Sequence, residues 1–470
     1  MGNINFWICH TIDELKECFN EQFPYEDAVE NLALELYIKF GEFIIEKVKT
    51  FIIEYPYIEK EWRELYSLHY CKTNYNKTSP FVYRIHLFDK EINGLEEITD
   101  DDSSYMGCAT IRPLPTSFIS KIILKKYRKF YNLIENEDLY MITAKYEVHI
   151  GTKSIKFEAF PLFSQDGVIS VCAHADAMII SEIMHKRHEM TEISIERFIS
   201  KIPYSQRGRE IPSIGLTIEH VENALMENGC LIRAYSSSYE SPVSSSKTPK
   251  EKCEELLRTL DAHVESGLPC ILGFANHVIV VAGHTIDKNE NDKFGYVIFD
   301  DSGHHIQKTF NNPFPLFSIV IPKKELEEEL TSYLGESNNE IFLICPIFQR
   351  FYFPFESVED EIECFQKEEG HSKKLVPRIL LVDSKNLHKF LENTVKNDDY
   401  KDVAFPHYVW YVEFYSEARG KEKNLEKILI IDASAHKNDK IYSIFYTNKN
   451  KPFCAPKNKK IYTLLTEIKE

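Results

Sequence analysis

No run of about 18 uninterrupted apolar residues occurs in this chain, so no segment is expected to cross a bilayer as a helix. Basic excess is missing too. A net charge of −17 argues against broad nucleic-acid binding, which needs a basic surface to neutralise phosphates. Paired CxxC motifs are absent. The 11 cysteines, an odd number, are scattered, which favours reduced thiols in a cytoplasmic setting over a disulfide framework or a zinc knuckle. The opening MGNINFWICHTIDELKE has no basic start followed by an apolar run, so a secretory signal is not expected. Phe6 stands where the myristoylation pattern wants Ser or Thr.

What remains is the composition of a soluble globular protein, 43% hydrophobic and 27% charged, with 31 Phe and 26 Tyr to fill large cores. At 470 residues, two or three domains are expected. One basic stretch, Lys121 to Lys129, runs against the acidic average and reads as a solvated helix face or a neutralising partner for acidic neighbours.

The first segment, 1–75, reads as a helical N-terminal module. Thr11 and Glu14 form a capping box, apolar spacing from Ala28 to about Ile53 suggests a second helix, and 61–70 a third. Strand texture follows over 81–88 and 106–111, then a hairpin around Gly151-Thr152. Residues 171–184 read as a buried helix, apolar nearly all round at first. A Ser-rich loop over 235–247 precedes Thr248-Pro249-Lys250-Glu251, which combines an N-cap, a Pro at the first helical position and a capping-box Glu. That helix should stop at Gly267, with strands following over 270–274, 277–282, 296–299 and 317–321. We assign 76–322 to a central domain and 323–470 to an α+β C-terminal domain, so the whole chain is α+β.

Five residues in the central segment carry candidate chemistry, Asp300 and Asp301 as alternatives for one role. Cys172 lies at the expected start of an apolar helix, where the helix terminus favours a thiolate; taken alone it reads as a buried core thiol, and the neighbouring elements shift that reading. His277 opens the strand HVIVVAG, which places its ring at a sheet edge within reach of a helix N-terminus. The run YVIFDDSG ends a neighbouring strand on Asp300 and Asp301, either of which could orient the imidazole, although Asp-Asp-Ser-Gly is also a favoured turn composition. Gln165, in LFSQDGVISVC, offers a side-chain amide to a developing oxyanion beside the Cys backbone N–H.

In order, SQDGVISVCAHADA, a helix, GLPCILGF, HVIVVAGH and a strand ending in DDSG resemble the papain-like cysteine peptidase superfamily. The pattern is most similar to the peptidases that trim double-glycine leader peptides and to their free-standing bacterial relatives. The resemblance covers about residues 165–321. It implies a central domain with a nucleophile helix packed on an antiparallel sheet, Cys172 as nucleophile, His277 as base, Asp300 as orienter and Gln165 at the oxyanion hole. It further implies a cytoplasmic, bacterial thiol protease acting on a protein or peptide substrate without cofactor, membrane or nucleic acid. The flanking domains would then choose the substrate or bind a regulatory partner.

Three rival readings stand beside this one. A metal could be held by ligands among Cys172, His174, His277, His284, His304 and His305, or by His185 with His188, although no zinc spacing is matched. The same triad also serves acyltransferases and amidases, since the shared step is a thioester. An inactive peptide-binding module is the third.

Overall fold

The computed structural model describes residues 4–73, 78–131, 133, 137–168, 172–200, 216–238, 247–287, 292–301, 303–310, 317–349, 351–368, 375–394, 405–417, 423–435, 442–446, 453–454 and 466–468. Among the described residues, helices and three antiparallel sheets give an α+β architecture.

The first sheet is built from β1 (Asn5–Cys9), β2 (Thr50–Tyr57), β3 (Val82–Phe88), β4 (Tyr105–Ile111) and β5 (Ile119–Leu124). The chain then leaves it for β6 (Glu137–Met141) and returns with β7 (Ala144–Ile150) and β8 (Lys153–Phe163), giving the order β1-β2-β3-β4-β5-β8-β7. β7 shows strict alternation of buried and exposed residues, the mark of a strand with one face on the core.

The second sheet holds β9 (Leu231–Ser236), β10 (Cys270–Phe274), β11 (His277–Asp287), β12 (Asp292–Phe299), β13 (Ser318–Pro322) and β14 (Phe342–Ile347), in the order β13-β12-β11-β10-β14-β9. β11 is long enough to serve two neighbours on one edge: its first half pairs β10 and its second half pairs β6. The third sheet runs β15 (Val376–Asp383), β16 (Tyr408–Glu417), β17 (Lys423–Asp432), β18 (Tyr442–Tyr446), with β19 (Phe453–Cys454) also on β17; β20 (Thr466–Ile468) pairs β6. Phe160 of β8 stacks on Phe299 of β12 at 4.3 Å, joining the first two sheets.

Several sequence expectations change. The segment 1–75 is not wholly helical, because β1 and β2 lie in it and pair with each other and with β3. The pattern over 28–53 is three short helices followed by a strand. Gly41, at φ +80°, ends the helix Leu32–Phe40, and the run Thr50-Phe51-Ile52-Ile53 is buried between two strands, where β-branched and aromatic side chains fit best. Within 323–470, β14 belongs to the second sheet, paired with β10 and β9. Tyr235 and Ser236 end a strand, and 239–246 of the Ser-rich stretch lie outside the described residues.

The basic stretch starts in β5, where Lys121 meets Glu182 at 2.6 Å and Glu61 at 3.3 Å. It therefore neutralises acidic neighbours and ties the helix Cys172–His188 to the helix Lys60–Leu68. The Thr248 capping box forms, with Glu251 Oε2 accepting the Thr248 N–H at 2.8 Å and Thr248 Oγ1 accepting the Glu251 N–H at 3.3 Å.

A buried ionic relay joins β11 to the third sheet. His284 Nε2 lies 2.9 Å from Glu265 Oε1, at the end of the helix Pro249–Glu265. Arg378 of β15 bridges Glu265 (2.8 Å) and Glu413 of β16 (3.2 Å). The hydroxyls of Tyr411 and Tyr415 donate to Glu413 at 3.0 and 2.7 Å. Both glutamates are buried, so removing the guanidinium leaves two charges without their cation. Arg378→Met should lower the unfolding free energy by about 3–5 kcal/mol in denaturant titration; a loss below about 1 kcal/mol would mean the relay is not a structural tie.

Candidate active site around Cys172

Cys172 opens a 17-residue helix whose residues from Ala173 to Met184 are all buried. The helix packs against β8 and β11. Gly167, at φ +74°, turns the chain shortly before it, in a conformation that costs a glycine little.

Residues 164–168 form a braced loop. Buried Arg112, just past β4, donates from Nη2 to the carbonyls of Gln165 (3.0 Å) and Ser164 (3.2 Å), and from Nε and Nη2 to Ser117 O. The Ser164 N–H reaches Ser120 O at 3.0 Å. Asp166 accepts from the Tyr70 hydroxyl at 2.8 Å and from the Val168 N–H at 3.1 Å. The structure thus places half-buried Gln165 on a loop whose backbone is pinned on both sides.

His277 is positioned by a two-residue hairpin. Ala275 and Asn276, at φ +51° and +59°, link β10 to β11, with Phe274 opposite His277. Positive φ at both central residues is the turn geometry whose twist matches that of paired strands. β12 pairs β11 with Val280 opposite Phe299, which brings Asp300 to the His277 end of the sheet.

There, His277 Nε2 lies 3.0 Å from Asp300 Oδ1. Asp300 is 1% exposed, and its other oxygen accepts the Ile306 N–H at 3.1 Å. Its own N–H donates to Phe317 O at 3.0 Å. With Nε2 committed to Asp300, Nδ1 is the ring nitrogen left for the sulfur. Burial acts against a charged imidazole, but hydrogen bonds to Asp300 and Cys172 overcome it and push the His277 pKa up to about 11. Cys172, His277 and Asp300 therefore form one interacting group, in which His277 Nε2 is bonded to Asp300.

Three further residues complete the surroundings. His305 lies against His277 with the rings tilted by 35° and their centroids 4.5 Å apart, and meets Phe274 edge-on at 5.0 Å. Burial and the His277 charge push the His305 pKa down to about 4, so it covers the imidazolium as a neutral ring. Asp176, one turn along the helix from Cys172, is fully buried, and neither carboxyl oxygen has a hydrogen-bond partner among the described residues. Burial, then Asp301 and Cys172, push its pKa well up, which favours the neutral acid. Lys39 reaches Ser164 Oγ at 2.9 Å. Sequence reasoning gave Asp176 and Lys39 no role and weighed His305 only as a metal ligand; Asp176 had a visible signal, its i+4 spacing from Cys172.

The histidines considered as metal ligands scatter. His174 is buried against Phe198, His185 Nδ1 lies 2.6 Å from Met190 O, His188 packs on Phe348, His284 meets Glu265, and His304 is exposed. His277, Asp300 and Asp301 do place ligand atoms within 4.8 Å of one another. His277 Nε2 and both Asp300 oxygens are already engaged in hydrogen bonds, so this donor set suits an oriented imidazole better than a cation.

Among the described residues no helix is long and apolar enough to cross a membrane. No protein-family model and no curated protein matches the sequence. Among solved structures the chain is similar to UfSP from C. elegans, at 14% identity and a TM-score of 0.25, over 40% of this chain and 33% of that one. The chain thus spans about a third of the length of that structure, at 33%.

Proposed function

We propose that the chain is a papain-like cysteine peptidase that hydrolyses a protein or peptide substrate through a thioester on Cys172. The observation that carries this reading is the contact set of one ring: His277 is hydrogen-bonded through Nε2 to buried Asp300 and interacts with the Cys172 thiol at a helix start.

In the proposed cycle the Cys172 thiolate attacks the scissile carbonyl carbon, and the carbonyl π electrons move to oxygen. Gln165 and backbone N–H groups at the helix start stabilise that oxyanion. The tetrahedral species collapses with cleavage of the C–N bond, and the imidazolium of His277 gives its proton to the leaving amine. Neutral His277 then takes a proton from water, whose oxygen attacks the thioester. Collapse releases the acid and restores the thiolate–imidazolium pair. Asp300 keeps the ring oriented and its charge compensated throughout.

The raised His277 pKa sets the sign of the pH dependence. With its pKa pushed up to about 11, the His277 imidazolium stands beside the Cys172 sulfur, and an adjacent cation favours the thiolate form of a cysteine. At pH 6 Cys172 should therefore react with iodoacetamide roughly ten-fold or more faster than the other cysteines. His277→Ala should abolish that selectivity, and Asp300→Asn should reduce it. Equal labelling of all thiols, or unchanged selectivity in His277→Ala, would contradict the pairing. Cleavage profiling of a peptide library tests the activity itself: products should form with the wild type and vanish with Cys172→Ala.

A further inference from the structure

The helix Leu32–Phe40 buries Leu32, Leu36, Lys39 and Phe40. A lysine thus occupies a position of the apolar stripe, and its side chain is 7% exposed. Burying an ammonium is costly unless anions or polar groups receive it. The surroundings say what receives this one. Its Nζ donates to Ser164 Oγ at 2.9 Å, lies 3.4 Å from the centroid of the Phe317 ring, and is 3.9 Å from Glu35 of its own helix. Asp300 and Asp301 act on it electrostatically from the end of β12, and Arg112 opposes them from beside β4.

These contacts belong to two different walls of the site. Ser164 begins the braced loop that carries Gln165, whose carbonyl Arg112 holds. Phe317 accepts the backbone N–H of Asp300. We propose that Lys39 is a positioning residue for the Cys172 site, an ammonium from the N-terminal segment that fastens the Gln165 loop to the Asp300–Asp301 strand end and compensates the two buried carboxylates. The proposal rests on the peptidase reading and adds that the site is incomplete without residues before the central domain.

A physical consequence separates this role from simple packing. Asp176 senses Asp301, Cys172, His277 and Asp300 together, so Asp301 stands in the same group of charges as the thiol. Without the ammonium, the negative potential of Asp300 and Asp301 is less compensated, and a negative potential disfavours the thiolate. Burial is the largest influence on Lys39 and, with Arg112, brings its pKa down to about 8 against the pull of Glu35, Asp301 and Asp300. The cation is present at the acidic and neutral pH where the effect is read.

The test is iodoacetamide labelling of Cys172 in the full chain, followed by peptide mass spectrometry from pH 5 to 9. Lys39→Met should raise the pH midpoint of Cys172 reactivity by about one unit and cut labelling at pH 6 about ten-fold. Lys39→Arg, which keeps the charge, should return the midpoint to within about 0.3 unit of wild type. Ser164→Ala removes the hydroxyl partner without touching a charge, and should slow labelling about three-fold; it serves where Lys39→Met does not fold. A Lys39→Met protein that labels like wild type, or a Lys39→Arg protein that behaves like Lys39→Met, overturns the proposal and leaves the peptidase reading intact. Wild type without selective Cys172 labelling removes both.

Discussion

Asp300 is a carboxylate with almost no access to water, and the geometry of the site follows from how its charge is met. One oxygen faces the His277 ring and the other faces the Ile306 N–H. A buried carboxylate without such partners would be expensive to keep ionised. Satisfying it constrains everything nearby. β11 and β12 must be adjacent, the turn at Ala275-Asn276 must be tight, and the short helix His304–Thr309 must present its N-terminal amides to the carboxylate. The His277 ring is then held with Nδ1 left for the sulfur of Cys172, at the start of its helix.

The charges around this bond are arranged to keep it polarised. His305, which covers the ring, and Asp176, beneath the thiol, are both pushed toward their neutral forms. The His277 imidazolium then lies between Cys172 and Asp300, with Lys39 and Arg112 beyond. Both cations also hold Ser164 or the carbonyl of Gln165, so the Gln165 loop and the imidazole side of the site share one electrostatic frame.

Signals confined to a few consecutive residues were legible in the sequence. The capping box at Thr248, the apolar helix opening on Cys172 and the aliphatic strand opening on His277 all appear where local pattern places them. Features set by long-range pairing were not. Choosing between Asp300 and Asp301 depends on the β11–β12 register, and that register is interrupted between Val281 and Gly283 and again between Thr285 and Ile286. Each such irregularity reverses which side of the sheet a residue faces. β2 was hidden because its apolar residues follow three short helices without a break in hydrophobicity. Lys39 was invisible for a different reason: nothing in one helix tells that a lysine on its apolar stripe will meet carboxylates some 260 residues away in the chain.

The protonation state of one ring tests the central claim most directly. Titration of the His277 imidazole by ¹⁵N NMR, in wild type and in Cys172→Ala, reports whether the ring and the thiol share a proton. The expected result is an imidazolium that persists across pH 5 to about 9 in wild type, with a midpoint that drops in Cys172→Ala once the sulfur is gone. A ring that titrates near about 6.5 in both proteins would contradict the account, because His277 would then carry no ion pair with Cys172.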